Sequence, residues 1–471
     1  MKIKPSLYFL GLSCFPISIL SLINIFYCFY FNYTENLASY LILIALSLII
    51  GFIFLSFGKK EYKSISIYEQ IVLIFLIYIL ISFFISIPYY LSNYDISFLN
   101  SYFESISGLT GTGFSIFENI NKIDDPLILW RSTSQWIGTF YFLIFLVLIF
   151  SNKQMNFKMI DLTFNLEKKI NLSMNFIGVT NRIFFIYLST TTLIFLFFLV
   201  SGLRLFDSLN LAMTVISSGG FLPTDSLSDI IRTNYQSLML SLGFLISLLN
   251  FYLLYNLFLR RENLKEHKED LYLILAILVL IIIFYLMNDF KIITVILTVL
   301  SSIGNSGISI SPIPDNFSLY FLTLTIIGGC VLSSTSGIKF LRIYILVKGF
   351  LMEMYRLVQP NVIINNKIMF SDKKITNEIV KISFLVFILF FLSIFILSSI
   401  LLVDFLDFEN SFKLSILTLT NTVSSDIYGI EKIEYVNLLT FSKLSIILFM
   451  VIAKIELIST FILIQKFFIR N

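Results

Sequence analysis

Histidine, cysteine and charged residues are scarce in this chain. Its 471 residues include one histidine and three cysteines, and 13% are Asp, Glu, Lys or Arg. His267 lies in the charged stretch RRENLKEHKED, which is typical of a solvated loop, and Cys14, Cys28 and Cys330 show no paired spacing. Neither a disulfide framework nor a metal site of imidazole or thiolate ligands is therefore predicted. Because the sequence suggests no pairing of a nucleophile with a base, we expect no enzymatic activity and no cofactor.

Hydrophobic residues dominate instead. They make up 57% of the chain, and the mean hydropathy is +0.91. A membrane-spanning helix needs about 20 apolar residues, so this composition predicts a polytopic membrane protein. The runs of sufficient length lie at about 7–31, 37–57, 69–90, 128–150, 180–202, 235–258, 270–288, 317–348, 377–403 and 437–468.

Lysine and arginine cluster after every second predicted span. Because such clusters mark cytoplasmic loops, both termini are expected in the cytoplasm and the protein in the bacterial inner membrane. The opposite loops are richer in acids, including Glu104 and Asp225. An acidic outer vestibule that concentrates cations and an ordinary topology bias both explain this pattern.

One form recurs four times between the predicted spans. A polar residue opens an apolar segment of about a dozen residues, and Ser, Thr, Gly or Asn closes it; a helix of this length is too short to span and is expected to be re-entrant. The copies lie at 95–114, 206–221, 288–308 and 408–426. The expected N-caps are Asp95 with Ser97, Asp207 with Ser208, Asn288 with Asp289, and Asn410 with Ser411.

The closing strings of small residues indicate a pathway for cations. Unpaired backbone at membrane depth is tolerated where it is buried or lines a water-filled path. Its carbonyls can replace the hydration shell of an ion, and the negative C-terminal ends of the short helices would favour a cation. A Gly-rich loop or a helix-packing motif would explain one such string equally well, but not four in the same register.

Four motifs carry a family resemblance. They are WRSTSQWIG at 130–138, SSGGF at 217–221, IGGCVLSSTSGIKFLR at 327–342 and AKIEL at 453–457. With them the chain resembles the Trk/Ktr/HKT superfamily of cation transporters, and most of all the bacterial Trk membrane subunit. The resemblance implies an all-α fold with four span–pore-loop–span repeats around a pseudo-fourfold pore. An extra N-terminal helix pair is expected at 1–66, and the pore repeats at 67–152, 153–262, 263–350 and 351–471.

The resemblance also implies a filter with one glycine position in each repeat. These positions are expected at Gly113, Gly220, Gly307 and, as a departure from glycine, Ser424. The remaining filter lining is expected from Thr110, Gly111, Thr112, Ser217, Ser218, Gly219, Asn305, Ser306, Thr422 and Val423. K⁺ is the expected ion, bound at these residues, and the serine leaves Na⁺ permeation open.

A gate is implied below this filter. The family's intramembrane loop corresponds to Ser333, Ser334, Thr335, Ser336 and Gly337, and a kinked helix is the alternative. The expected pore charges are Lys339, Arg342, Lys454 and Glu456. A structural salt bridge between helices would explain the last two as well.

The expected function is channel-like uptake of K⁺. The alternatives are an Na⁺-permeable member of the same family and a secondary symporter coupled to Na⁺ or H⁺. The implied partners are a second copy of the chain, giving a homodimer, and a cytoplasmic ring of nucleotide-binding regulatory subunits. No phosphate-binding loop occurs in this chain, and no nucleic acid is expected to bind it.

Overall fold

The computed structural model describes most of the chain. The described residues are 3–33, 35–58, 67–150, 176–259, 268–310, 314–359, 367–368, 374–404, 406–430 and 433–456. The predicted solvated loop at His267 and most of the basic clusters lie outside these ranges.

The described part is built from α-helices, as predicted. The first are α1 (Ile3–Phe31), α2 (Leu37–Phe57), α3 (Ile67–Tyr90), α4 (Phe98–Thr110), α5 (Asp125–Phe150), α6 (Phe176–Val200), α7 (Leu205–Ile216) and α8 (Asn234–Leu248). They are followed by α9 (Phe251–Leu259), α10 (Lys268–Leu286), α11 (Ile292–Ile303), α12 (Ser318–Ile327), α13 (Phe340–Val358), α14 (Asn377–Leu401), α15 (Phe408–Thr420) and α16 (Thr440–Lys454).

Six of the described helices are long and apolar enough to cross a membrane by length and composition. They are α1, α2, α3, α6, α10 and α14, whose apolar residues face both the core and the surface. The expected span at 235–258 is instead divided into α8 and α9, and the expected span at 317–348 is divided into α12 and α13 at its predicted interruption. The full number of ten spans stays a prediction.

The four short helices are arranged in a closed ring. Each of α4, α7, α11 and α15 lies between a long helix that precedes it and a second helix that follows it. The second helix of one repeat packs on the short helix of the next, because α5 contacts α7, α8 contacts α11, α12 contacts α15, and α16 contacts α4. The second and fourth repeats therefore lie on opposite sides of the ring.

Glycine allows the first short helix to approach its neighbour closely. A Cβ on Gly108 of α4 would lie 2.2 Å from Ser134 Oγ, and a Cβ on Gly138 of α5 would lie 1.8 Å from the carbonyl oxygen of Leu109. Such separations are far below any van der Waals contact, so larger residues at either position would force α4 away from α5.

Two interrupted helices complete each other's backbone hydrogen bonds. The break between α12 and α13 was predicted, whereas the break between α8 and α9 was not. Cys330 N donates to Leu248 O at 3.1 Å, and Phe251 N donates to Leu332 O at 2.8 Å. Backbone exposed by one break is thus satisfied by the other, as burial requires.

The predicted N-caps are correct in the first repeat only. Ser97 caps α4 by accepting from Asn100 N, but α7, α11 and α15 begin after Arg204, Lys291 and Asp407. Asp207, Ser208, Asn410 and Ser411 consequently lie inside the first turns of their helices. Asn288 and Asp289 lie between α10 and α11 instead, and the side chain of Asn288 donates to Phe284 O.

Candidate ion pathway

Each short helix ends in the same hydrogen-bonded turn. A residue with positive φ closes the helix: 78° at Gly111, 53° at Ser218, 59° at Asn305 and 48° at Asn421. The amide of the next residue then donates to the carbonyl of the residue five positions earlier in the chain. These bonds are Thr112 N to Ser107 O (2.9 Å), Gly219 N to Thr214 O (2.9 Å), Ser306 N to Ser301 O (3.0 Å) and Thr422 N to Leu417 O (2.9 Å). We name the segments turn 1 (111–113), turn 2 (218–220), turn 3 (305–307) and turn 4 (421–423).

This register corrects the expected position of Ser424. The third residues of the turns are Gly113, Gly220, Gly307 and Val423. Ser424 lies one residue beyond and forms a 2.7 Å hydrogen bond with the hydroxyl of Tyr435. The sequence pattern aligned Ser424 with the three glycines because serine is small. The hydrogen bonds that end the helices place Val423 at that position instead.

Side chains link the turns to one another. Asn421 Nδ2 donates to Thr112 Oγ1 at 3.0 Å, and Asn305 Nδ2 donates to Thr422 Oγ1 at 3.2 Å. Thr112 in turn lies 2.7 Å from the hydroxyl of Thr110, its neighbour in the first repeat. The first and fourth turns, and the third and fourth, are thereby fastened together.

Helix α5 supports turn 2 and the residues on either side of it. Thr139 Oγ1 donates to Ser217 O at 3.1 Å. With its amide oriented by its hydrogen bonds, Gln135 accepts from the amides of Gly220 and Phe221, both at 3.1 Å. Gln135 is fully buried, so it holds this backbone without contacting bulk water.

A buried ion pair supports the chain just beyond turn 1. Arg131 Nε lies 2.8 Å from Glu104 Oε1, with 2% and 0% of the two side chains exposed. Glu104 also accepts from Ile116 N at 2.8 Å, and Arg131 donates to Ser115 Oγ at 2.9 Å. Glu104 is therefore not part of an acidic outer surface, contrary to the vestibule interpretation.

The predicted interruption of the eighth span lies directly against the turns. Ser334 Oγ is 2.9 Å from Ser218 Oγ, and the amide of Ser336 donates to Asn305 Oδ1 at 3.1 Å. Ser336 Oγ also donates to Asn421 Oδ1 at 2.9 Å. The loop at 333–337 thus bonds to the positive-φ residues of turns 2, 3 and 4.

Lys454 completes this contact beneath turn 1. Its Nζ lies 3.7 Å from the position that a Cβ on Gly111 would take, donates to Ser334 O and lies 4.9 Å from the centre of the Phe142 ring. Lys454 as a whole is 2% exposed. The buried amino group of Lys454 therefore lies between turn 1 and the loop at 333–337.

The other predicted charges lie beside the same loop. Lys339 has an uncommon positive φ of 77°, and its Nζ donates to Ser333 and Thr335. Arg342 Nη2 pairs with Glu456 Oε2 at 2.7 Å, which agrees with the interhelical salt-bridge interpretation for Glu456. A small pocket opens between these groups, and its lining includes Thr335, Ser336, Lys339, Arg342, Lys454 and Glu456.

The structure brings together almost all of the predicted site residues. Ser424 is the exception, since its hydroxyl faces the loop at Tyr435. Sequence reasoning missed Asn421 and Glu104 and gave no role to Gln135. The recurrence of Asn at 305 and 421, each followed by a small hydroxyl residue, was the signal that could have revealed Asn421.

Comparisons with known proteins find similarity to potassium uptake proteins and to a cation transporter. An uncharacterized cation transporter of Methanocaldococcus jannaschii is 27% identical over 357 residues, or 74% of either chain. Trk system potassium uptake protein TrkI of Halomonas elongata is 25% identical over 295 residues, which is 59% of either chain. TrkH of Escherichia coli is 23% identical over 292 residues, 58% of this chain and 60% of that protein.

The fold comparison covers the whole chain. The crystal structure of the potassium transporter TrkH from Vibrio parahaemolyticus matches 100% of both chains with a TM-score of 0.84 and 19% identity. No protein-family model matches the chain. The predicted resemblance to Trk membrane subunits and the predicted all-α polytopic fold are confirmed.

Proposed function

We propose that this chain is a membrane protein that takes up K⁺ by channel-like permeation through the ring of turns 1 to 4. The arrangement that carries the proposal is the convergence of four helix C-termini on one ring of small polar residues. Helix C-termini carry partial negative charge, and backbone carbonyls can substitute for the water around a cation. The relatives named above are described as potassium uptake proteins or as a cation transporter, not as enzymes.

We assign the selectivity filter to the four turns and the residues that immediately precede them. It comprises Thr110, Ser217, turns 1 to 3 and the backbone of turn 4. The amide and hydroxyl bonds of Asn305, Thr422 and Asn421 hold these segments in register. Because this backbone is already held in position, little free energy is needed to rearrange the ligands when the ion loses its water.

We assign the gate to the loop at 333–337. Three hydrogen bonds fasten it to the inner side of turns 2, 3 and 4, where it lies across the path of an ion leaving the ring. The positive φ of Lys339 is a strained backbone conformation, and strain of this kind clusters at switch regions. Opening would require these three bonds to be exchanged for bonds with water.

Lys454 is proposed to retard cations in the closed state. Its ammonium group is buried beside Gly111 and bonded to the loop at Ser334. Repulsion between like charges is strong where water is excluded. Movement of the loop would remove Ser334 from Lys454 and allow the ammonium group to leave the path.

The assembly around this pore remains part of the proposal. We expect a homodimer in the inner membrane with both termini in the cytoplasm, and a ring of nucleotide-binding regulatory subunits on the cytoplasmic face. The resemblance to Trk membrane subunits supports these expectations. The segment at 348–381 is expected to lie on that face, and it carries basic residues such as Lys348 and Arg356 that could contact such a ring.

Uptake of radiolabelled Rb⁺ into liposomes containing the purified chain tests the proposal. We expect uptake above that of protein-free liposomes, competition by K⁺, and no requirement for a gradient of Na⁺ or H⁺. Uptake that depends on either gradient would instead establish the symporter. Equal permeation of Na⁺ and Rb⁺ would establish the Na⁺-permeable alternative.

A further inference from the structure

Turn 4 differs from the other turns at its third residue. Gly113, Gly220 and Gly307 end turns 1 to 3, and Val423 ends turn 4. The shared hydrogen-bond register places all four at the same level of the ring. A valine adds three side-chain carbons at a level where the other turns add none, so the ring is asymmetric here.

The side chain of Val423 reaches the opposite turn. A Cβ on Gly220 would lie 2.5 Å from Val423 Cβ and 3.1 Å and 3.2 Å from its two methyl carbons. Because the second and fourth repeats lie on opposite sides of the ring, this contact is made across its middle. The isopropyl group of Val423 therefore occupies space through which an ion would have to pass.

The backbone of turn 4 differs as well. Gly113 and Gly307 have φ values of 83° and 64°, whereas Val423 does not have a positive φ, and neither does Gly220 of turn 2. Such values are accessible to glycine but strongly unfavourable for a β-branched residue. The carbonyl groups of turn 4 consequently cannot take the orientation that turns 1 and 3 adopt.

Ser425 adds a second asymmetry next to this level. Its hydroxyl donates to the carbonyl oxygen of Gly307 at 2.6 Å. That oxygen, on a residue with the positive φ of turn 3, therefore already accepts a hydrogen bond from the fourth repeat. The third and fourth turns together offer fewer unengaged carbonyls to a cation than a ring of four glycine turns would.

We propose that Val423 is a specificity-determining residue that both narrows the cation path and weakens the distinction between K⁺ and Na⁺. The inference rests on the proposed transport function. The narrowing comes from the methyl groups that face Gly220. The weaker distinction comes from a fourth turn whose backbone cannot orient its carbonyl groups as turns 1 and 3 do.

Two substitutions at this position distinguish the effect of side-chain volume from the effect of backbone conformation. Val423→Ala removes the methyl groups but not the restriction on φ, so we expect a severalfold gain in initial Rb⁺ uptake with little change in the Rb⁺/Na⁺ uptake ratio. Val423→Gly also frees the backbone, so both the rate and the ratio should rise. Val403→Ala is the matched control, because Val403 is 56% exposed on the same repeat and lies away from the ring.

Ser424→Gly tests the register directly. It removes a hydroxyl that bonds to Tyr435, and we expect it to leave the Rb⁺/Na⁺ ratio at the wild-type value. A change in the ratio with Ser424→Gly but not with Val423→Gly would overturn the inference. Unchanged uptake rates in both variants of Val423, in protein that inserts and folds normally, would overturn it too.

A labelling experiment separates this inference from the transport proposal. Cys14, Cys28 and Cys330 are free and buried, so the wild-type chain serves as the blank for a small cationic methanethiosulfonate reagent. Modification of Val423→Cys should be slowed by K⁺, and modification of Ser424→Cys should not. If wild-type liposomes show no uptake, the transport proposal fails; K⁺-sensitive labelling at 424 instead of 423 rejects the assignment of Val423.

Discussion

Breaking the buried ion pair of Glu104 and Arg131 should destabilise the protein far more than breaking a solvent-exposed ion pair. The two side chains are separated by 2.8 Å and are 0% and 2% exposed. Arg131→Met would leave the Glu104 carboxylate buried with the Ile116 amide and the Ser115 hydroxyl as its remaining donors. Removing one partner of a buried pair costs about 3–5 kcal/mol in unfolding free energy, and we expect a loss in this range.

The double variant distinguishes this reasoning from a simple loss of contacts. Glu104→Gln together with Arg131→Met leaves no uncompensated charge, so it should be less destabilised than Arg131→Met alone. The coupling free energy should be at the upper end of the ~0.5–3 kcal/mol found for interacting neighbours. Denaturant titration in detergent micelles, followed by tryptophan fluorescence, measures Glu104→Gln, Arg131→Met and the double variant.

Arg356 and Glu353 provide the control for this experiment. Their N–O distance is 2.5 Å, and the two side chains are 41% and 64% exposed. Exposed pairs contribute about 0–1 kcal/mol, so Arg356→Met should change stability little. Equal losses for Arg131→Met and Arg356→Met, or a double variant that loses the sum of its single losses, would refute the argument.

Three further predictions concern the gate and the ring. Shortening the loop at 333–337 should raise Rb⁺ uptake, because it removes the bonds that hold the path closed; unchanged or lower uptake in a folded, inserted variant would reject the gate. Lys454→Gln should raise uptake by removing a buried positive charge, and an unchanged rate would show that this charge does not limit flux. Gly138→Ala should lower the unfolding temperature sharply, since its Cβ would lie 1.8 Å from Leu109 O, whereas Gly349→Ala, 3.3 Å from its nearest neighbour, should not.

The repeats and the helical architecture could be predicted because they depend on local patterns. Apolar length fixes which helices can cross a membrane, and strings of small residues mark where a helix ends at membrane depth. The interruption at 333–337 carried such a string and was predicted. The break at Leu249 carries neither Gly nor Pro, and its backbone groups bond to the distant backbone of Cys330 and Leu332.

The details of the ring depend on register and on distant partners, which the sequence does not display. Ser424 resembled glycine in size, yet the hydrogen bond from Thr422 to Leu417 decides which residue faces the ring. Glu104 was grouped with acids of exposed loops because its partner Arg131 lies 27 positions away. Some expected N-caps differ from the observed helix starts for a similar reason. Asp207, an expected cap, lies in the first turn of α7 and pairs with Arg204.

The direct test of the account is to locate a bound cation. Anomalous diffraction from crystals grown with Rb⁺ should show a peak on the axis of the ring formed by turns 1 to 4, within reach of carbonyl oxygens of the glycine turns. The peak should weaken when K⁺ replaces Rb⁺. Ordered Rb⁺ found only away from these turns, with the ring itself unoccupied at saturating Rb⁺, would contradict the assignment of the ion pathway.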